Sequence, residues 1–243
     1  MARQQTKGRC RYCNKEFTRT GIIRHLASCK VRAEKLPSDD KGQTTGYFEL
    51  LLTGRYDRDY WLVIEMDERL DLADLDHFIR NIWVECCDHL SAFYIDGGSY
   101  DSAYGEVATW RENSHSMHTR LKKLLHVGQE FLYEYDFGST TELLISVKDY
   151  RRGAKQQEKL SILARNNPPE ILCSTCEKEA AAWVYMGHFD DDKPFICESC
   201  LEMRRQEESC DEEAEYFEDY LLPVCNSPRM GVCGYTGSEI YPD

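Results

Sequence analysis

Gly128-Gln129-Glu130-Phe131-Leu132-Tyr133-Glu134-Tyr135-Asp136-Phe137-Gly138 decides how the middle of this chain folds. Phe131, Tyr133, Tyr135 and Phe137 fall at every second position, the period of a strand with one covered face. Phe137 reads as the buried end of that strand, with Gly138-Ser139 turning the chain. Leu143, Ile145 and Val147 repeat the alternation, and Lys159–Ala164 forms one further strand before Asn166-Asn167-Pro168-Pro169 stops it. On the N-terminal side, Tyr47–Thr53 and Tyr60–Met66 read as strands joined through Gly54–Asp59, and His89–Asp96 as another ending at Gly97-Gly98. Between them Leu72, Leu75, Phe78, Ile79, Ile82, Trp83 and Cys86 recur at spacings of three and four, one face of a helix, with Asp71 as N-cap and Asp74 in its first turn. A weaker helical pattern covers Thr119–Val127 and ends at Gly128. Residues 47–168 therefore read as an α+β domain, a central mixed or antiparallel sheet carrying two helices on one face.

That block, with Tyr60-Trp61-Leu62-Val63-Ile64 leading into Leu72-Ala73-Asp74-Leu75-Asp76-His77-Phe78-Ile79, resembles the Ri-plasmid "open reading frame three"-like family, which is also described as insertion-element passenger proteins. The resemblance covers about residues 45–165. It implies an α+β fold and carries no established activity. Family members commonly continue the Tyr-Asp-Phe-Gly block with an acidic residue, then Trp and His. This chain has Ser139, Thr141 and Leu143 there, so a pocket lined by those residues would be altered.

Two sets of cysteines flank the domain. Cys173-x2-Cys176 and Cys197-x2-Cys200 form two knuckles of identical spacing that can face one another and supply four thiolates to one tetrahedral zinc ion, the layout of a zinc ribbon. Iron is an alternative for a Cys-only set. Near the start, Cys10-x2-Cys13-x11-His25-x3-Cys29 resembles a ββα zinc finger whose last His is replaced by Cys, with Phe17 and Ile22 at its core positions. His25 and Cys29 lie one helical turn apart, on one face. Two zinc ions are expected. Cys225 and Cys233, with Cys210 or His188, offer an irregular third set, and Cys86 reads as core.

The boundaries that follow are a basic finger at 1–35, a polar linker at 36–46, the α+β domain at 47–168, and an acidic C-terminal region with the four-Cys site at 169–243. The net charge of −13 is unevenly spread: residues 1–42 carry +7, residues 43–168 carry −7 and residues 169–243 carry −13. Only the first segment can approach a polyanion, through Arg9, Arg11, Lys15, Arg19, Arg24, Lys30 and Arg32. Thr18, Gly21 and Arg24 fall near the base-reading positions of a finger, and Gly21 has no side chain to read with. The same finger could equally dock on a protein. No run reaches the roughly 18 apolar residues of a membrane span, and the first residues carry no secretion signal, which gives the expectation of a soluble, cytoplasmic chain whose 12 cysteines stay reduced.

No nucleophile motif and no phosphate-binding Gly loop is present, so the expected function is a non-catalytic zinc-binding adaptor. It would touch nucleic acid, or a protein associated with it, through the finger and a protein partner through the α+β domain. Two other classes stay open: an enzyme with a site in the α+β domain that includes His115, His118 or Asp136, and an inhibitory protein that mimics nucleic acid through its acidic residues 203–220.

Overall fold

Alternating apolar runs with short polar turns between them build hairpins, and in the middle of the chain those hairpins join through pairings distant in sequence into one sheet. A computed structural model describes residues 5–37, 42–103, 114–187, 194–208 and 218–242. They divide into two compact units, one of Met1–Arg80 with Asp88–Asn167 and one of Asn81–Cys87 with Pro168–Asp243.

The first unit holds β1 (Lys7–Cys10), β2 (Glu16–Thr18), α1 (Arg19–Ser28), α2 (Lys30–Lys35), β3 (Thr44–Gly54), β4 (Trp61–Asp67), α3 (Leu72–Ile79), β5 (Ser91–Ile95), β6 (Gly98–Asp101), β7 (Ser114–Ser116), β8 (Glu130–Tyr135), β9 (Thr141–Ala154) and β10 (Leu160–Asn166). Its ten strands form one sheet in the order β2-β1-β10-β4-β3-β9-β8-β5-β6-β7. Neighbours are antiparallel except β6 and β7, which makes the sheet mixed. β3 and β9 pair from Thr44 opposite Ala154 to Gly54 opposite Leu143, with a bulge at Glu49 and Leu50. Leu50, Leu52, Trp61, Ile64, Tyr133, Leu143 and Ile145 are fully buried along these strands.

The finger strands belong to the same sheet. β1 pairs with β10, Gly8 opposite Asn166 and Cys10 opposite Ala164. Gly8 makes the approach possible, because a Cβ there would lie 2.1 Å from the Arg165 carbonyl oxygen and 2.7 Å from the Trp61 ring. Ile22 and Leu26 of α1 complete a buried cluster with Leu51, Trp61, Val63 and Leu163.

The helix expected from Leu72 starts where its cap predicts. Asp71 accepts from Asp74 N, and Asp74 accepts from Asp71 N, a reciprocal capping box. Asp71→Ala is expected to lower stability by about 1 kcal/mol, read by urea unfolding. Beyond Ile79 the chain widens into a π-turn at Arg80–Val84.

Two expectations fail here. Thr119–Val127 is not a helix: only a 3-10 turn at Leu121–Lys123 forms. Its backbone is held from outside, since Leu121 N donates to Leu70 O, Lys122 N to Glu68 O, and Thr119 O accepts from Leu72 N. The Thr119 carbonyl is the one Lys123 N would reach in an α-helix; Lys123 N donates to Arg120 O instead. Phe137 is 43% exposed, because Asp136 takes a left-handed φ of 63° and its carboxylate accepts from Gly138 N and Ser139 N, ending the alternation one residue early.

The second unit holds β11 (Trp183–Tyr185), β12 (Phe195–Ile196), α4 (Glu198–Glu208) and β13 (Leu221–Pro223). Its strands run in the order β12-β11-β13, and its small core gathers Cys173, Tyr185, Ile196, Cys197, Cys200 and Leu201. Among the described residues, no helix is long and apolar enough to cross a membrane.

Candidate metal centres

Three groups of ligating side chains converge. In the first, Cys10 ends β1 and Cys13 follows in a tight turn whose Asn14 adopts a left-handed φ of 59°, with Asn14 N donating to Cys10 O. His25 sits in the last turn of α1 and Cys29 is its C-cap. Thr18 caps the start of α1 by accepting from Gly21 N, which sets the turn that carries His25. The ligand atoms of Cys10, Cys13, His25 and Cys29 all lie within 4.8 Å of one another, with Cys13 Sγ 3.2 Å from His25 Nε2. Phe17 stacks on the imidazole at 4.1 Å and fixes its plane. Burial, then Lys15, lowers the His25 pKa and favours the neutral ring that ligation requires. Burial pushes the Cys10 thiol up.

The second group is Cys173, Cys176, Cys197 and Cys200, again within 4.8 Å. Glu177 N donates to Cys173 O and Glu177 takes a φ of 55°, which closes the first knuckle. Cys176 Sγ and Cys197 Sγ are 3.8 Å apart, the separation that two zinc–sulfur bonds of about 2.3 Å at a tetrahedral angle produce. Burial opposes ionisation of Cys173, but backbone N–H groups of Cys176, Cys197 and Thr175 bring it down to about 6. Cys197 is pushed up to about 12 by burial and the thiol of Cys200. The layout differs from the ribbon expected from spacing. The second knuckle does not open a hairpin; Cys200 already lies in α4, and β11 pairs with β13 as well as β12.

The third group was not anticipated. Within the second unit, Cys86, Cys87 and Cys233 bring their sulfur atoms within 4.8 Å of one another. Cys86 is half-buried and Cys87 exposed, so the reading of Cys86 as core is corrected. Cys86 beside it pushes the Cys87 thiol up to about 11. Cys225 is buried and belongs to none of the groups among the described residues, while Cys210 and His188 lie outside those residues.

The basic residues of the finger separate into three kinds. Arg32 is buried, donating to Glu49 Oε2 and Glu65 Oε2 at 2.8 Å each, so it cannot be a phosphate contact and that expectation is withdrawn. Arg9 pairs with Glu16, Arg11 with Glu158, and Arg19 donates to Arg58 O. Lys15, Arg24 and Lys30 are exposed. Arg24 lines a groove of about 340 Å³ with Arg19, Arg58, Lys148 and Glu130.

The residues of the enzyme reading have separate partners. His115 packs on the Tyr100 ring, His118 Nδ1 lies 3.2 Å from Asp71 Oδ2, and Asp136 Oδ2 lies 3.6 Å from His89 Nε2. Residues 209–217 of the acidic stretch of the mimic reading lie outside the described residues; within them Glu218 pairs with Arg205.

A family model described as plasmid pRiA4b ORF-3-like protein matches residues 52–175. That span runs from β3 to the first knuckle of the second metal group. Among solved structures the chain is similar to a crystal structure of a protein of unknown function from Methanosarcina mazei Go1. The two are 16% identical, over 72% of this chain and 88% of that one, with a TM-score of 0.41. No curated protein matches the chain.

Proposed function

The chain belongs to the plasmid pRiA4b ORF-3-like family, and from that premise we propose that it is a non-catalytic zinc-binding adaptor that contacts nucleic acid through its N-terminal finger. One observation carries the reading: each of the two terminal groups is a complete set of four Cys or His ligands, with no carboxylate among them. A closed tetrahedral set of that kind holds zinc for structure and keeps no position open for water or substrate. Zinc is favoured over iron in the first group because the set mixes imidazole with thiolates.

The nucleic-acid half rests on charge. The first 42 residues carry +7 in a chain of −13, and Lys15, Arg24 and Lys30 remain exposed after Arg32 is drawn into the sheet. Binding of this kind is weak, independent of sequence and steep in salt. Protein docking through the α+β sheet is the remaining part of the proposal.

Titration of a fluorescent 30-nucleotide duplex and a single strand at several salt concentrations tests it. The full chain is expected to bind at low salt. Lys15→Ala, Arg24→Ala and Lys30→Ala together are expected to make the slope of log K against log salt shallower by about three, one per lost phosphate contact. A chain with no affinity for either nucleic acid at low salt overturns this half and leaves the finger as a protein-docking element.

A further inference from the structure

We propose that Cys86, Cys87 and Cys233 form a third zinc site, which staples the C-terminal segment of the chain onto the segment that leaves α3. The three sulfur atoms lie within 4.8 Å of one another, the range over which tetrahedral thiolate ligands of one ion sit. Three thiols gathered in this way offer the soft ligands that zinc takes.

The surrounding structure is built to hold them there. The π-turn at Arg80–Val84 delivers Cys86 and Cys87 from its end. Cys233 sits in a left-handed turn, φ 51°, followed by Gly234 at 70°, a backbone shape that turns a thiol inward as metal knuckles do. Two hydroxyl donors lock the two segments in register: Ser227 Oγ donates to Trp83 O at 2.6 Å, and Ser238 Oγ donates to Asn81 O. Arg229, fully buried between those serines in sequence, donates through Nη2 to Cys86 Sγ at 3.3 Å. That donor holds the Cys86 sulfur in place beside the other two. Ser227 Oγ also accepts from Arg229 N, so the segment that carries Arg229 is itself fixed.

Three thiolates leave one tetrahedral position. Nothing in the two-knuckle spacing of the other groups leads to this site, and it stands whether or not the chain binds nucleic acid.

Native mass spectrometry of the full chain, purified without chelator and kept in a phosphine reductant, tests it. The expected result is three zinc ions per chain, with Cys87→Ser and Cys233→Ser each losing one ion and keeping the others. Cys87 is exposed, so its substitution does not disturb a core, and retention of the other ions shows that the variant is folded. Hydrogen exchange in the Cys87→Ser chain is expected to rise over residues 225–238. The decisive readout is the difference of one ion between wild type and variant, whatever the other two groups hold. An unchanged count in both variants overturns the site, as does a wild-type mass two hydrogens light that shows Cys87 and Cys233 oxidised to a disulfide under reductant.

Discussion

Stripping metal from the full chain with a strong chelator is expected to unfold the second unit while the sheet of the first survives. The buried cluster around the four cysteines shows why. Of its six members, Cys173, Cys197 and Cys200 are candidate ligands, leaving Tyr185, Ile196 and Leu201 to hold the three short strands and the helix. So small an apolar core contributes only a few kcal/mol, and zinc binding in comparable small domains supplies about 10–16 kcal/mol of folding free energy. Without the ion, Cys173 and its partners become a buried cluster of competing thiols. The finger is differently placed: β1 is paired to β10, and Ile22 and Leu26 pack with Trp61, Val63 and Leu163. Cys173→Ser with Cys176→Ser should therefore erase hydrogen-exchange protection over β11, β12 and the start of α4. Cys10→Ser with Cys13→Ser should loosen α1 and α2 and leave β3, β4, β8 and β9 protected. Equal loss of protection in both units on chelation, or none in either, would show this partition of stability to be wrong.

What the sequence made legible was local. Alternation at Phe131, Tyr133 and Tyr135 and at Leu143, Ile145 and Val147 located β8 and β9, because a strand's period is a property of a few consecutive residues. The two knuckle pairs and the His25–Cys29 turn were legible for the same reason, and the structure brings each set together. What stayed hidden depends on partners far along the chain. Thr119–Val127 has helical periodicity, yet its Thr119 carbonyl accepts from Leu72 N, far back along the chain. Cys86 and Cys87 meet Cys233 from far along the sequence, with no repeating spacing to announce them. Arg32 sat in a row of basic residues that looked solvated, and its two carboxylates come from β3 and β4.

Arg32→Met is expected to destabilise the first unit by about 3–5 kcal/mol, the range for a buried ion pair that loses one member. Arg32 lies in α2, three residues after Cys29, and its guanidinium spans Glu49 and Glu65 while donating to Leu26 O. The two carboxylates are not equivalent. Glu65 also accepts from Arg151 and Gln156, and although burial pushes its pKa up, those donors and Arg32 hold it below the usual carboxylate range. Glu49 is raised: its burial outweighs Arg32, its cation within hydrogen-bond reach, and Asp149 adds to the rise. The signs follow. Glu65, with a depressed pKa, contributes stability that is present above its unfolded value of about 4.3 and is lost as pH falls through the lower folded value. Glu49, with a raised pKa, opposes folding at neutral pH, and that opposition fades as pH falls through its folded value toward 4.3. Removing Arg32 raises Glu49 further, so the variant takes up a proton at a higher pH than the wild type. The deficit of Arg32→Met should accordingly be larger at pH 7.5 than at pH 5.5, measured by urea unfolding of the zinc-loaded chain at both. Arg32→Met with Glu49→Gln should recover part of the loss and show a smaller pH dependence, since the carboxylate then left beside the missing cation, Glu65, keeps its donors Arg151 and Gln156. A deficit independent of pH in the single variant would mean that Arg32 acts through packing of its stem, and that the finger is joined to the sheet by Ile22, Leu26 and the β1–β10 pairing alone.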